Sequence, residues 1–189
     1  AGHEVLLGSR DAARAGEAAE GIHGAVGQRN ADACRAAEVV FVTVPYEGQA
    51  PALADLAEPL SGKIVVCTVV PLAVDERGPH PVAVREGSAA EQCQALLPQA
   101  RVVAGFQWVP APRLRKPDVV VEMDVPLCSD DADAAAVVAE LCADVRSLRG
   151  FFAGPLRLAG GLEGLTPVLL SLNRRYKAHT GVRFAGLSL

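Results

Sequence analysis

Glu4-Val5-Leu6-Leu7-Gly8-Ser9-Arg10 opens the chain, with Asp11-Ala12-Ala13-Arg14-Ala15 directly behind it. The first part reads as a short apolar strand ending in Gly-Ser-Arg, the second as the start of an Ala-rich helix. In a dinucleotide-binding βαβ unit the end of the second strand meets the adenosine ribose. An Asp or Glu there accepts from the 2′-hydroxyl of NAD, whereas a hydroxyl with an Arg suits the 2′-phosphate of NADP. Arg14 lies four residues beyond Arg10, one helical turn on, and adds a second positive charge. The plainer reading is a strand end and a helix N-cap, with Ser9 accepting a first-turn amide and Arg10 a solvated charge. Neither a first strand nor a G-x-G-x-x-G turn precedes these residues. The expectation is a nucleotide-binding domain short of its opening βα unit, about 20 residues, and therefore less stable and weaker toward NADP than a chain that carries it.

Half of the 189 residues are apolar and the net charge is -4, which suits one domain, or one domain with a helical extension. Mild acidity, 18 Lys and Arg in all, and no basic run interleaved with aromatics argue against nucleic acid as partner. No stretch reaches the ~18 to 20 apolar residues of a membrane span. The cysteines (Cys34, Cys67, Cys93, Cys128, Cys142) are odd in number, widely spaced and form no C-x-x-C pair. They read as buried reduced thiols of a cytoplasmic protein rather than a disulfide or zinc framework.

Outward from the opening, apolar β-branched runs alternate with Ala-rich stretches, the pattern of a parallel α/β sheet. Val39 to Val44 is a buried strand, preceded by a helix that Asn30 caps. Glu47 to Ala57 reads as a helix, and Ile64 to Val70 as a continuous apolar strand covered on both faces. Pro71 to Gly87 is expected to be a long irregular loop. Ser88-Ala89-Ala90-Glu91 is a capping box opening a helix to Leu97. Arg101 to Gly105 is a strand, Phe106 to Pro117 a Pro-rich loop, and Val119 to Val125 an edge strand, read as antiparallel. Asp131 to Asp144 and Leu162 to Ala178 are helices, the latter broken early by Pro167 and basic at its end (Arg174, Arg175, Lys177).

In open parallel sheets, ligands bind outside the carboxyl ends of the strands. The loops expected there hold few titratable groups. There is no Ser/His/Asp set and no carboxylate pair at catalytic spacing, and His3, His23, His80 and His179 are scattered. Such a site is a poor hydrolase but is adequate for direct hydride transfer. There the cofactors carry the chemistry, and the protein holds donor and acceptor ~3–3.5 Å apart.

Eight segments in order then carry a resemblance: Gly8-Ser9-Arg10, Thr43-Val44-Pro45-Tyr46-Glu47, Lys63-Ile64-Val65-Val66, Ser88-Ala89-Ala90-Glu91, Val125-Pro126-Leu127-Cys128, Gly154-Pro155-Leu156, Leu165-Thr166-Pro167 and Asn173-Arg174-Arg175-Tyr176. Together they resemble the NADPH-dependent coenzyme F420 reductases (F420:NADP oxidoreductases), the actinobacterial branch most nearly. The resemblance implies an α/β, Rossmann-type, mostly parallel sheet over residues 1–150 and a small C-terminal helical part, 151–189, that serves the deazaflavin site and a homodimer. It implies NADP and coenzyme F420 as cofactors, with nicotinamide and deazaflavin stacked. Ser9, Arg10 and Arg14 would hold the 2′-phosphate, and Tyr46 and Ala50 would flank adenine and ribose. Val70, Leu72 and Ala111 would line the nicotinamide pocket. The deazaflavin would rest against Gln107 to Pro112, including Pro110, and the 165–167 turn, with the Thr166 hydroxyl on a ring carbonyl. An Arg, a Ser and a His of archaeal members fall here at Gly160, Gly164 and Gln107.

Two other readings fit the same residues. One keeps NADPH and changes the acceptor to a flavin, a ferric chelate or an imine. The other is a non-catalytic NADP-binding module, which predicts stabilisation by NADP without turnover.

Overall fold

The computed structural model describes residues 2–114 and 120–187. The end of the expected Phe106–Pro117 loop and the expected strand start at Val119 lie outside the described residues. β1 (Val5–Ser9), α1 (Ala12–Ala19) and β2 (Ala25–Arg29) form a parallel two-stranded unit. α2 (Asn30–Ala36) joins it to β3 (Val39–Val42). Then come α3 (Tyr46–Ala54), β4 (Ile64–Cys67), β5 (Leu72–Asp75), β6 (Gly78–Pro81), α4 (Ala89–Leu96), β7 (Arg101–Ala104), α5 (Ala111–Leu114), β8 (Met123–Cys128), α6 (Ala132–Ala143), β9 (Leu148–Gly154) and α7 (Ala159–Tyr176). β3, β4, β7, β8 and β9 make a five-stranded sheet in that order, parallel except where β8 meets β7 at the single pair Ala104–Cys128. This is the expected α/β, mostly parallel architecture with a C-terminal helix.

β4 shows why the sheet must be covered twice. All four of its residues are buried, and alternate side chains leave on opposite faces. Val65 and Cys67 join Leu53, Leu60, Ala89 and Cys93 under α3 and α4. Ile64 and Val66 join Val103, Val125, Leu127, Val138 and Cys142 under α6. Each fully buried Val or Leu adds about 1.5–3 kcal/mol, so both layers hold the sheet.

Several elements differ from the reading of the sequence. β2 was not expected, because Gly27-Gln28-Arg29 is not an apolar run. Its glycine serves packing: a Cβ on Gly27 would fall 2.2 Å from the Ala15 carbonyl carbon, so α1 lies directly on the strand. β9 was hidden in the same way, since a Cβ on Gly150 would meet Cys142 Sγ at 2.7 Å. Leu72–Pro81 is an antiparallel hairpin rather than irregular loop, closed by Asp75, whose carboxylate accepts from the Arg77 and Gly78 amides. β8 is not an edge; β9 pairs in parallel along its outer side and carries the sheet past residue 150 to Gly154. Asn30 does not cap α2, which has no side-chain cap. α7 runs continuously through Pro167 from Ala159, three residues before the expected start.

The C-terminal segment is tied back by one carboxylate. Asp124 on β8 is 0 % exposed and accepts from Arg149 Nε and Nη2, both at 2.7 Å, and from the Phe184 amide at 2.7 Å. The Arg149 hydrogen bonds, with the Phe184 amide and Arg183 adding, hold its pKa below the usual carboxylate value against the cost of burial.

Candidate active site

At the end of β1, Ser9 Oγ accepts from the Asp11 amide at 3.3 Å, and Asp11 Oδ1 accepts from the Ala13 amide at 2.9 Å. Asp11, not Ser9, therefore caps α1. The Ser9 hydroxyl keeps its proton for another acceptor. Arg10 and Arg14 are exposed, and among the described residues no ion pair engages either. A hydroxyl donor and two uncommitted guanidinium groups fit a phosphomonoester, for which Arg offers bidentate geometry.

The second group of expected residues sits where β3, β4 and β7 end. Tyr46 and Ala50 are half-buried on α3, whose first residue is Tyr46. Val70 and Leu72 are half-buried after β4, and Pro110 and Ala111 follow β7. Gln107 is buried, its amide turned inward to donate to the Cys67 carbonyl at 3.3 Å. Thr166 donates its hydroxyl proton to the Gln107 carbonyl at 3.2 Å. That proton is spoken for, so the hydroxyl offers a ligand only its lone pairs; its visible task is to fix the loop after β7. Trp108 donates Nε1 to the Asp124 carbonyl at 3.0 Å, pinning the same loop from the other side. Immediately before these anchors Phe106 holds φ +69 and packs edge-on against Phe41, ring centroids 5.4 Å apart. A left-handed phenylalanine costs of order 1–3 kcal/mol and persists only where its surroundings over-determine it.

α7 is joined to this layer by a group the sequence did not reveal. Glu163, 4 % exposed, accepts from the Ala89 amide at 2.9 Å and the Ala90 amide at 3.1 Å at the start of α4. Ser88 Oγ accepts from the Glu91 amide at 3.0 Å, as the capping box predicts. Glu163 thus satisfies the next orphan donors of that helix from 73 residues away. Burial pushes its carboxyl up to about 7, opposed by the two amides and reinforced by Glu91. No local spacing could have signalled it. Beside Thr166, the hairpin and α7 border an open groove of about 350 Å³ whose lining includes Pro79, Pro81, Gly164, Pro167 and Leu172. A Cβ on Gly164 would meet nothing within 4 Å. Among the described residues no group of three or more His, Cys, Asp or Glu could hold a metal ion.

The structure thus places the expected residues in two groups: Ser9, Arg10 and Arg14 at the end of β1, and the other eight about the loops of the five-stranded sheet. Residues 1–71 match the family model described as NADP oxidoreductase, coenzyme F420-dependent. An F420-dependent NADP reductase of Methanocaldococcus jannaschii is 33% identical over 99% of this chain and 90% of its own length. One from Methanothermobacter thermautotrophicus is 32% identical over 99% and 86%. The crystal structure of a candidate F420-dependent NADP reductase from Arthrobacter sp. FB24 superposes with a TM-score of 0.85 at 28% identity, covering 97% of this chain and 89% of that one. A likeness this long and in register is a statement of descent: the chain belongs to the family of F420-dependent NADP reductases.

Proposed function

We propose that this protein passes a hydride reversibly between NADP(H) and coenzyme F420, with Ser9, Arg10 and Arg14 as the anchor of the 2′-phosphate. The observation that carries this reading is a contrast between strand ends: uncommitted arginines beside a free hydroxyl proton at one, and a wall poor in acids and bases at the others. When bound, the nicotinamide and deazaflavin rings supply the whole of the redox chemistry. The chain's residues bind and orient. Tyr46 and Ala50 take the adenine and ribose side. Val70, Leu72 and Ala111 present apolar surface to the nicotinamide and exclude water from it. Residues 107–112, Pro110 among them, form the deazaflavin wall with the 165–167 turn, where Thr166 and Gln107 hold each other in place.

The C-terminal part, residues 151–189, contributes to that wall and to a homodimer in this reading. Support for the dimer is an exposed apolar stripe on α7, Val168, Leu172 and Tyr176 at successive four-residue steps. No helix of the described residues is long and apolar enough to cross a membrane. Five free, buried cysteines accord with a reducing, cytoplasmic setting.

The test is direct. Mixed with NADPH and oxidised coenzyme F420, the protein is expected to bleach the visible absorption of the deazaflavin in proportion to enzyme added. Loss of NADPH with a flavin, ferric chelate or imine, and none with coenzyme F420, would overturn the assignment of the acceptor.

A further inference from the structure

Arg29 closes β2, and its Cα is the register partner of Ser9 across the β1–β2 ladder. Partners on neighbouring parallel strands stand ~4.8 Å apart and project to the same face, and residues two apart along a strand share a face. Gly27, two residues before Arg29, faces α1, since its Cβ would strike Ala15. Gly8 faces the other way, toward Asn30 and Ala33 of α2. Ser9 and Arg29 therefore both project to the α1 face, at the end of the strands where α1 begins and where Arg10 and Arg14 stand. Arg29 is exposed, and among the described residues no hydrogen bond or ion pair engages its side chain.

We propose that Arg29 is a third cationic ligand of the 2′-phosphate and a determinant of preference for NADP over NAD. The inference rests on the NADP reading of Ser9, Arg10 and Arg14. Charge balance supports it. A phosphomonoester carries about −1.5 to −2 at neutral pH. Arg10 and Arg14 supply two positive charges, but the Asp11 carboxylate capping α1 stands between them in sequence and cancels one. Arg29 restores the second, from the neighbouring strand rather than from the β1–α1 turn. Its planar fork can meet two phosphate oxygens at once while Ser9 donates to the third.

The test is equilibrium binding of NADP+ and of NAD+, by calorimetry, to the whole chain and to its Arg29→Ala and Arg29→Lys variants. In Arg29→Ala the Kd for NADP+ is expected to rise about tenfold, with that for NAD+ changed less than twofold; Lys recovers part of the loss. Equal weakening of both nucleotides would place Arg29 on the adenine or ribose they share and overturn the proposal. So would an unchanged ratio of the two affinities in a wild type that prefers NADP+. If the wild type itself binds the two nucleotides alike, the NADP reading falls, and the role of Arg29 falls with it.

Discussion

The end of β1 and the end of β7 present their polar groups in opposite ways. At β1 the charged groups are exposed and uncommitted: Arg10 and Arg14 reach into solvent, and the turn beneath them is held by Ser9 and Asp11. At β7 the polar groups are inward and paired: Gln107 to Cys67, Thr166 to Gln107, Trp108 to Asp124. In the proposed function the first arrangement would take its strength from charge that a ligand brings, the second from shape fixed before a ligand arrives. Affinity and orientation are thus separate properties of separate loops, and variants can pull them apart.

The largest effect is expected where the second region is bolted to its support. Glu163→Ala leaves two amides at the start of α4 without an acceptor, at about 1–3 kcal/mol each. A loss of roughly 2–6 kcal/mol in stability should appear as a Tm lower by about 10 °C. The same group has a pH signature. Its folded pKa, about 7, lies above the ordinary 4.5. The unfolded chain therefore releases that proton first. Its contribution is fully present below about pH 4.5 and is lost as pH rises through 7, an amount of roughly 3 kcal/mol. Denaturant titrations between pH 5 and 8 should show that decline in the wild type and a flat profile in Glu163→Gln. The window avoids Asp124 and Asp131, whose depressed pKa values act below pH 4.

Arg10→Ala comes next and addresses the other region. Removing one guanidinium from a phosphomonoester should raise KM for NADPH about 30-fold, roughly 2 kcal/mol, with kcat lowered less than twofold. A matching fall in kcat would mean that the charged end also orients the reacting rings, and the division drawn above would fail. Thr166→Val is the smallest and the mirror image. Losing one neutral hydrogen bond of about 1 kcal/mol frees the Gln107 carbonyl. kcat should drop about fivefold with the Kd for NADP+ unchanged.

How far the residues announce these things follows from where the information lies. β3 and β4 are legible because Val39–Val42 and Ile64–Cys67 must be apolar on both sides, and the α4 start because its capping box is local. β2 and β9 are illegible for one shared reason: Gly27 and Gly150 admit a helix against the strand, and that packing removes the very side chains that advertise a strand. The phosphate role proposed for Ser9 and Arg10 could be read at all because their chemistry is contiguous. Gln107 and Thr166 enter the sequence reading only as proposed neighbours of a ligand; that one holds the other is a property of two segments 59 residues apart. Glu163 on Ala89 and Ala90 is the same case with a charge in it.

Burial lifts Cys128 to about 11 and Cys142 to about 12, and Cys67, hydrogen-bonded to Cys93 and buried as well, stands far above its ordinary value. At neutral pH these sulfurs carry almost no thiolate, the only form that attacks disulfides or captures oxidants. A catalyst that handles hydride carriers thus keeps these three sulfurs out of the traffic. Cys67, Cys128 and Cys142 are thereby closed to oxidants while hydride passes between the cofactors.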